Sequence, residues 1–514
     1  MSSTARLLSN TLSNGVAQFA QIGVAFVFMP LLVVHYGLTQ YGLYLLAFSF
    51  NGYLGLLDFG VGTALTKLVA EKRAKAGSAS IGDLITIGLG YYCVVGAAAC
   101  GVLLLFARFS GAIFHLTPDD AHFLASLLVV GAIGALVTWP LMTFPAVLAG
   151  LQRYDLSARV TLLTTVLGGV ATGAVLILDQ SLVVLTVYLT VAAVVGGVIA
   201  ALLLWRHAPG ARIGFGGTSR ATLGRVFGFS WVIFVTQVCG VLVYQQTDRI
   251  ILGVFAGAAS IALYEASSKL HSLVRQLAIV GGTAAMPAAS GFHAQDATES
   301  LRVLFLRGSK YVDAFVLPFV VTIVALASPL LRLWLGPAYA GQTLAVQLFV
   351  GYYVLNANTT VASAIITGIG RLRFILWVSV LAALGNVALG VSLAPRLGVL
   401  GVILGTVVTS AVVFPVFMRY VLREVHVPLR VWLRLVVLPT YPALLAPLTI
   451  CLVAQRAGMV DSLLGLAVVG GAAVFTYWAL FWLLGVNRPE RNGLIEGMRL
   501  AFSKGGLDDD AGVT

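Results

Sequence analysis

Apolar runs of about twenty residues or more, broken by short polar connections, recur along the whole chain. A helix needs about 20 apolar residues to cross the hydrocarbon core of a bilayer. About fourteen runs meet that length. They lie near 15–36, 41–66, 82–107, 121–150, 156–178, 182–205, 226–255, 260–287, 310–335, 342–369, 372–394, 398–418, 431–454 and 462–485. The pattern predicts an all-α polytopic membrane protein. Asp248 and Arg249 interrupt the seventh run. The first run is too long for a signal-peptide core and is expected to stay as a helix.

Basic residues fall in alternate connections. One set holds Lys72, Arg73 and Lys75; Arg153 and Arg159; Arg206, Arg212, Arg220 and Arg225; Arg302, Arg307 and Lys310; Arg371 and Arg373; and Arg419, Arg423, Arg430 and Arg434. The opposite set holds Arg108, Arg332, Arg396 and Arg456. Cytoplasmic loops are enriched in Lys and Arg, so the rich set is expected inside, with both termini cytoplasmic. Residues 486–514 read as a short, partly disordered cytoplasmic tail.

Composition agrees with lipid as the main solvent. Hydrophobic residues make up 59% of the 514 residues and charged residues 10%, against about 25% charged in soluble domains. The net charge of +12 therefore reads as a topology signal, and nucleic acid is not an expected partner. Cys93, Cys100, Cys239 and Cys451 sit inside apolar runs without metal or CxxC spacing. They are expected to pack, forming neither disulfide nor metal site. There is no P-loop, nucleophile elbow, HExxH or paired-carboxylate motif, and no appended soluble domain is expected. These patterns argue against an enzyme and call for no cofactor. Driving energy is expected from an ion gradient, the membrane potential or consumption of product.

The chain also repeats. At an offset of 220, Leu32 meets Leu252, Gly37 meets Gly257, Leu43-Tyr44 meets Leu263-Tyr264, and Gly62-Thr63-Ala64 meets Gly282-Thr283-Ala284. At 218, Ala146 meets Ala364, Gly150 meets Gly368 and Arg153 meets Arg371. A repeat of six helices preserves orientation, so the lobes should be related by a pseudo-two-fold axis along the membrane normal. The expected plan is a segment 1–13, lobes at 14–205 and 226–418 joined by a linker 206–225, a helix pair in 419–485, and the tail. Gly37 and Gly257 would occupy equivalent tight external turns.

Several segments carry a family resemblance. They are Leu-Leu-Ser-Asn-Thr (7–11), Tyr-Gly-Leu-Thr-Gln-Tyr-Gly-Leu-Tyr (36–44), Leu-Asp-Phe-Gly-Val-Gly-Thr-Ala-Leu (57–65), Thr-Asp-Arg-Ile-Ile-Leu-Gly (247–253) and Ala-Leu-Tyr-Glu-Ala-Ser-Ser-Lys-Leu (262–270). Together they resemble the O-antigen-type polysaccharide flippases of the multidrug/oligosaccharidyl-lipid/polysaccharide exporter superfamily. The resemblance implies two six-helix lobes around a central cavity and alternating access. It also implies passage of a lipid-linked oligosaccharide across a bacterial inner membrane for cell-surface polysaccharides such as lipopolysaccharide. Membrane lipid and polysaccharide polymerases would be its partners. A cation-coupled multidrug exporter is the alternative within transport; a membrane-embedded glycan polymerase or transferase is the alternative outside it.

Ionisable side chains inside a membrane cost about 2.5–3.5 kcal/mol each on the insertion scale, and usually pair or line a cavity. Lys269, Arg275, Arg249, Asn51 and Gln245 are the candidate substrate contacts, because a diphosphate and sugar hydroxyls need cations and neutral donors. Asp58, Glu265, His271 and Asp248 are the candidate ion-coupling groups. Bland readings stand beside these. Arg249 and Glu265 lie eight residues either side of Gly257 and would reach similar depth, so they suit a structural ion pair equally well. Glu265 and Lys269 have i,i+4 spacing. Asp58 could bind a cation or brace the first hairpin through Gln18. Arg275 could snorkel, and His271 could simply pack.

Overall fold

The computed structural model describes residues 3–76, 81–208, 247–282 and 285–492, with side chains from residue 20 onward except at 51, 74–76 and 281. Every regular element among the described residues is helical. The chain is a polytopic membrane protein. In order, α1 is Ser3–Leu54, α2 Val61–Ala76, α3 Gly82–Ile113, α4 Pro118–Leu141, α5 Thr143–Gly150, α6 Tyr154–Ile177 and α7 Leu182–His207. Beyond residue 246 come α8 Thr247–Phe255, α9 Ala258–Gly282, α10 Ala285–Ala294, α11 Thr298–Ala325, α12 Ala327–Leu335, α13 Thr343–Gly351, α14 Tyr353–Gly368, α15 Leu372–Leu397 and α16 Val399–Glu424. The last two are α17, Leu429–Arg456, and α18, Leu463–Gly485.

Ten helices among the described residues are long and apolar enough to cross a bilayer. The expected spans map onto them with instructive differences. The first two fall in Ala20–Asp58, joined at Gly37, whose φ of 77° and ψ of 170° leave the helical region. That conformation is open essentially to glycine alone. The expected second span, 41–66, is not one helix. A 3-10 turn at Gly55–Asp58, then Phe59 at φ 48° and Gly60 at φ 75°, separate α1 from α2. The span expected at 342–369 is divided at Tyr352 into α13 and α14. Most of the span at 226–255 lies outside the described residues, and α9 carries too many charges to register as an apolar span.

Large apolar side chains such as Val34, Ile177, Trp377 and Leu484 point outward. Water would penalise that surface, and hydrocarbon does not. Helices therefore associate through close packing of small residues. A Cβ on Gly96 would stand 3.0 Å from the Ala135 carbonyl oxygen, and one on Gly42 only 1.9 Å from that of Ala258.

The described chain forms two compact units. One comprises Met1–Lys269 with Leu376–Thr409, the other Leu270–Ile375 with Ser410–Thr514. Each unit contains one copy of the same local motif. In the first, Leu151, Gln152 and Arg153 donate their amides to Val147, Ala149 and Leu148. In the second, Ile369, Gly370 and Arg371 donate to Ile365, Thr367 and Ile366. The left-handed residue is Gln152 in one and Gly370 in the other. The packing repeats too. A Cβ on Gly150 would meet Thr66 O at 2.7 Å and the Val69 side chain, and one on Gly368 would meet Met286 O at 2.7 Å and the Ala289 side chain. Thr66 and Met286, like Val69 and Ala289, are separated by the 220-residue offset of the sequence repeat.

The start of the expected tail is ordered. Glu490 forms an ion pair with Lys310 at 2.7 Å, and Arg491 donates to the Trp482 carbonyl at 2.8 Å. The pair offsets the cost of taking both charges partly out of water, and Arg488–Asn492 is helical. Residues 493–514 lie outside the described residues.

Candidate functional site

The charged hairpin of α8 and α9 lies in the first unit as far as Lys269. It reverses at Gly257, where φ is 81°. Residues equidistant from that turn must lie side by side on two antiparallel helices. Two such pairs form. The Tyr264 hydroxyl donates to Asp248 Oδ2 at 2.7 Å, and Arg249 Nη2 donates to Glu265 Oε2 at 2.7 Å. One turn further along α9, Lys269 Nζ approaches Glu265 Oε1 at 3.2 Å. The hairpin is also tied to α1, because the Tyr53 hydroxyl and Thr247 Oγ1 are 2.7 Å apart.

Glu265 is therefore one carboxylate shared by two cations. Its side chain is 1% exposed, that of Arg249 14% and that of Lys269 31%. Burying Glu265 demands compensation, which Arg249 and Lys269 supply; with Asp248 beside Arg249, the hairpin carries two acidic and two basic side chains here. Lys269 is the accessible member and carries donors that Glu265 does not use. Arg249 is the more enclosed of the two cations.

The remaining candidates sit elsewhere. Asp58 ends the 3-10 turn before α2, where its Oδ1 accepts from the Tyr92 hydroxyl and from the Gly62 amide at 3.2 Å. An acidic side chain bonded to the first-turn amides caps a helix, so this geometry braces the Leu-Asp-Phe-Gly turn. The side chain of Gln18 lies outside the described residues, as do the side chain of Asn51 and all of Gln245. His271, in the second unit, is buried with its ring stacked on Phe349 at 4.1 Å between centroids. Its Nε2 lies 3.1 Å from the Tyr352 hydroxyl, and Tyr353 closes the aromatic set. Arg275 is half-buried on α9 in the same unit. Among the described residues no group of three or more His, Cys, Asp or Glu could hold a metal ion.

One buried acid escaped the reading of the sequence. Asp313 on α11 is fully buried. The available signal was a lone carboxylate inside the expected span 310–335, masked by its proximity to the basic cluster ending at Lys310.

Residues 7–293, more than half of the chain, match the family described as polysaccharide biosynthesis protein. The chain belongs to that family. Among curated relatives, the uncharacterized membrane protein EpsK of Bacillus subtilis is 25% identical over 266 residues, covering 51% of this chain and 52% of EpsK. The protein named Probable flippase AglR, from Haloferax volcanii, is 24% identical over 169 residues, covering 32% of this chain and 35% of AglR. The chain thus spans about half the length of the first relative and about a third of the second. Among solved structures, the lipid II flippase MurJ in an inward closed conformation superposes with a TM-score of 0.68 at 14% identity, covering 91% of this chain and 98% of MurJ. An inward-facing multidrug resistance MATE transporter gives 0.69 at 15% identity, covering 80% and 94%. At these identities the likeness establishes the fold.

Proposed function

We propose that the chain is a flippase that carries a polyprenyl-diphosphate-linked oligosaccharide across the bacterial inner membrane by alternating access, supplying cell-surface polysaccharide synthesis. The observation that carries this reading is the Arg249–Glu265–Lys269 cluster, in which the ammonium of Lys269 is the accessible cation. An accessible ionisable group inside a membrane protein usually lines a cavity or a substrate path. A diphosphate is an anion, and the ammonium of Lys269 supplies charge-assisted donors to it. Membership of the polysaccharide biosynthesis family and the fold shared with MurJ support the substrate class. The reading includes six-helix lobes at 14–205 and 226–418, a helix pair at 419–485, cytoplasmic termini, and no catalytic step by this chain.

A second reading, a cation-coupled multidrug exporter, draws on the fold shared with MATE transporters. A cationic drug favours acidic contacts, and at the hairpin the only fully buried carboxylate is already shared by two cations. Depletion separates the two. A flippase leaves its lipid-linked oligosaccharide accumulating on the cytoplasmic leaflet, whereas a drug exporter leaves the glycan lipids unchanged and the cells drug-sensitive. Orientation is tested by single cysteines at positions 153 and 371, which an impermeant thiol reagent should not reach from outside intact cells.

A further inference from the structure

Asp313 has an environment unlike that of the other buried acids. Glu265 meets two cations and Asp248 meets a tyrosine hydroxyl. Among the described residues, no donor reaches either carboxylate oxygen of Asp313 with hydrogen-bond geometry. The nearest cation along α11, Lys310, is committed to Glu490. Around the carboxyl stand Asn358 from α14, Tyr441 from α17 and Tyr477 from α18, all uncharged. No charged side chain of α10, α12, α14, α17 or α18 acts on it.

The neighbours are neutral, and the hydrogen bonds of Tyr441, Tyr477 and Asn358 run to other groups. The Tyr441 hydroxyl gives its proton to the Val354 carbonyl, so it must accept from Asn358, whose Nδ2 donates to it at 2.9 Å. That fixes the amide orientation and leaves Asn358 Oδ1 buried without a partner. Ser309 Oγ, one turn before Asp313 on α11, is also buried without a partner. An ionised carboxylate in this setting would be a buried charge with no cation beside it, which a protein interior holds only at high cost. A neutral carboxyl removes that charge and offers a donor to the unpartnered Asn358 Oδ1.

We propose that Asp313 is a proton-binding site, loaded in this conformation, and that the proton holds α11 against α14 and, through Tyr441, against α17. Its release leaves a charge that this packing cannot accommodate, so proton loss loosens the three helices. The site is independent of the α8–α9 cluster and of which substrate the chain carries. It gives the second unit a means of sensing proton availability.

Infrared spectroscopy of the full-length protein in nanodiscs at neutral pH tests this. The wild type should show the C=O stretch of a protonated carboxyl that Asp313→Asn removes, while Asn358→Ala shifts it by changing the neighbouring amide. Hydrogen–deuterium exchange over 353–368 and 438–444 should rise at alkaline pH in the wild type and stay flat in Asp313→Asn. An unchanged spectrum in Asp313→Asn overturns the proposal. So does a thermal stabilisation by Na⁺ at constant pH that Asp313→Asn abolishes, which would make the site one for a metal cation. Should Asp313→Asn fail to accumulate, an Asn358→Ala spectrum with no shift overturns it as well.

Discussion

The first hairpin, around Gly37, and the hairpin around Gly257 are two solutions to one geometric problem. Both reverse at a glycine with positive φ, and both carry a tyrosine seven residues beyond it, Tyr44 and Tyr264. They differ in what fills the equivalent positions. Where the second hairpin has Asp248, Arg249, Glu265 and Lys269, the first has Phe28, Met29, Leu45 and Ser49. Met29, Leu45 and Ser49 are buried, and Ser49 bonds back to the Leu45 carbonyl at 2.9 Å. At these four positions the first hairpin is thus held without an ion. The charges of the second carry a cost of about 2.5–3.5 kcal/mol each on the insertion scale, which the first hairpin avoids at the equivalent positions.

The largest expected effect comes from breaking the ion pair on one side. Arg249→Met should sharply reduce the amount of protein in the membrane, because Glu265 loses its closest cation; removing one partner of a buried pair costs about 3–5 kcal/mol. Copying the first hairpin completely, with Arg249→Met, Glu265→Leu and Lys269→Ser together, should restore abundance on immunoblots while glycan export stays lost. A triple variant that exports glycan would erase the functional distinction between the hairpins.

Next in size is Gly42→Ala. Its Cβ would overlap the Ala258 carbonyl, and a backbone atom cannot step aside as a side chain can. The two hairpins must separate there, so thermal unfolding in detergent should shift down by several degrees. By contrast, Gly23→Ala meets no atom within 4 Å and should leave the transition where it is.

Lys269→Ala is expected to cut export about 10- to 100-fold, the loss of one charge-assisted hydrogen bond of about 1.5–3 kcal/mol, with abundance near normal. Normal export, or loss of the protein itself, would remove Lys269 from the substrate site. The smallest effect belongs to Gly37→Ala, about 1–3 kcal/mol of backbone strain in a turn with open space for the methyl group. It should lower thermal stability slightly and leave export intact.

Much of this was legible in the amino acids. Long apolar runs with few charges require lipid and helices, because backbone polar groups in hydrocarbon must be satisfied within each segment. The offset of 220 matched the turns at Gly37 and Gly257, and that of 218 matched Gly150 with Gly368. The register of Arg249 with Glu265 followed from the turn and the rise of a helix. All of these concern distance along a helix axis, which sequence spacing measures directly. What the sequence left open concerns rotation about that axis and partners far along the chain. Asp58 bonds Tyr92, Asp313 faces Asn358 and Tyr441, and His271 lies against Phe349, each between helices that meet only after folding. The break at Phe59 and Gly60 is likewise set by the Tyr92 hydroxyl and the Asp58 cap acting together. Periodicity and spacing fix depth in the membrane, whereas the neighbour that decides whether a buried charge is paired, stacked or protonated is chosen by helix packing.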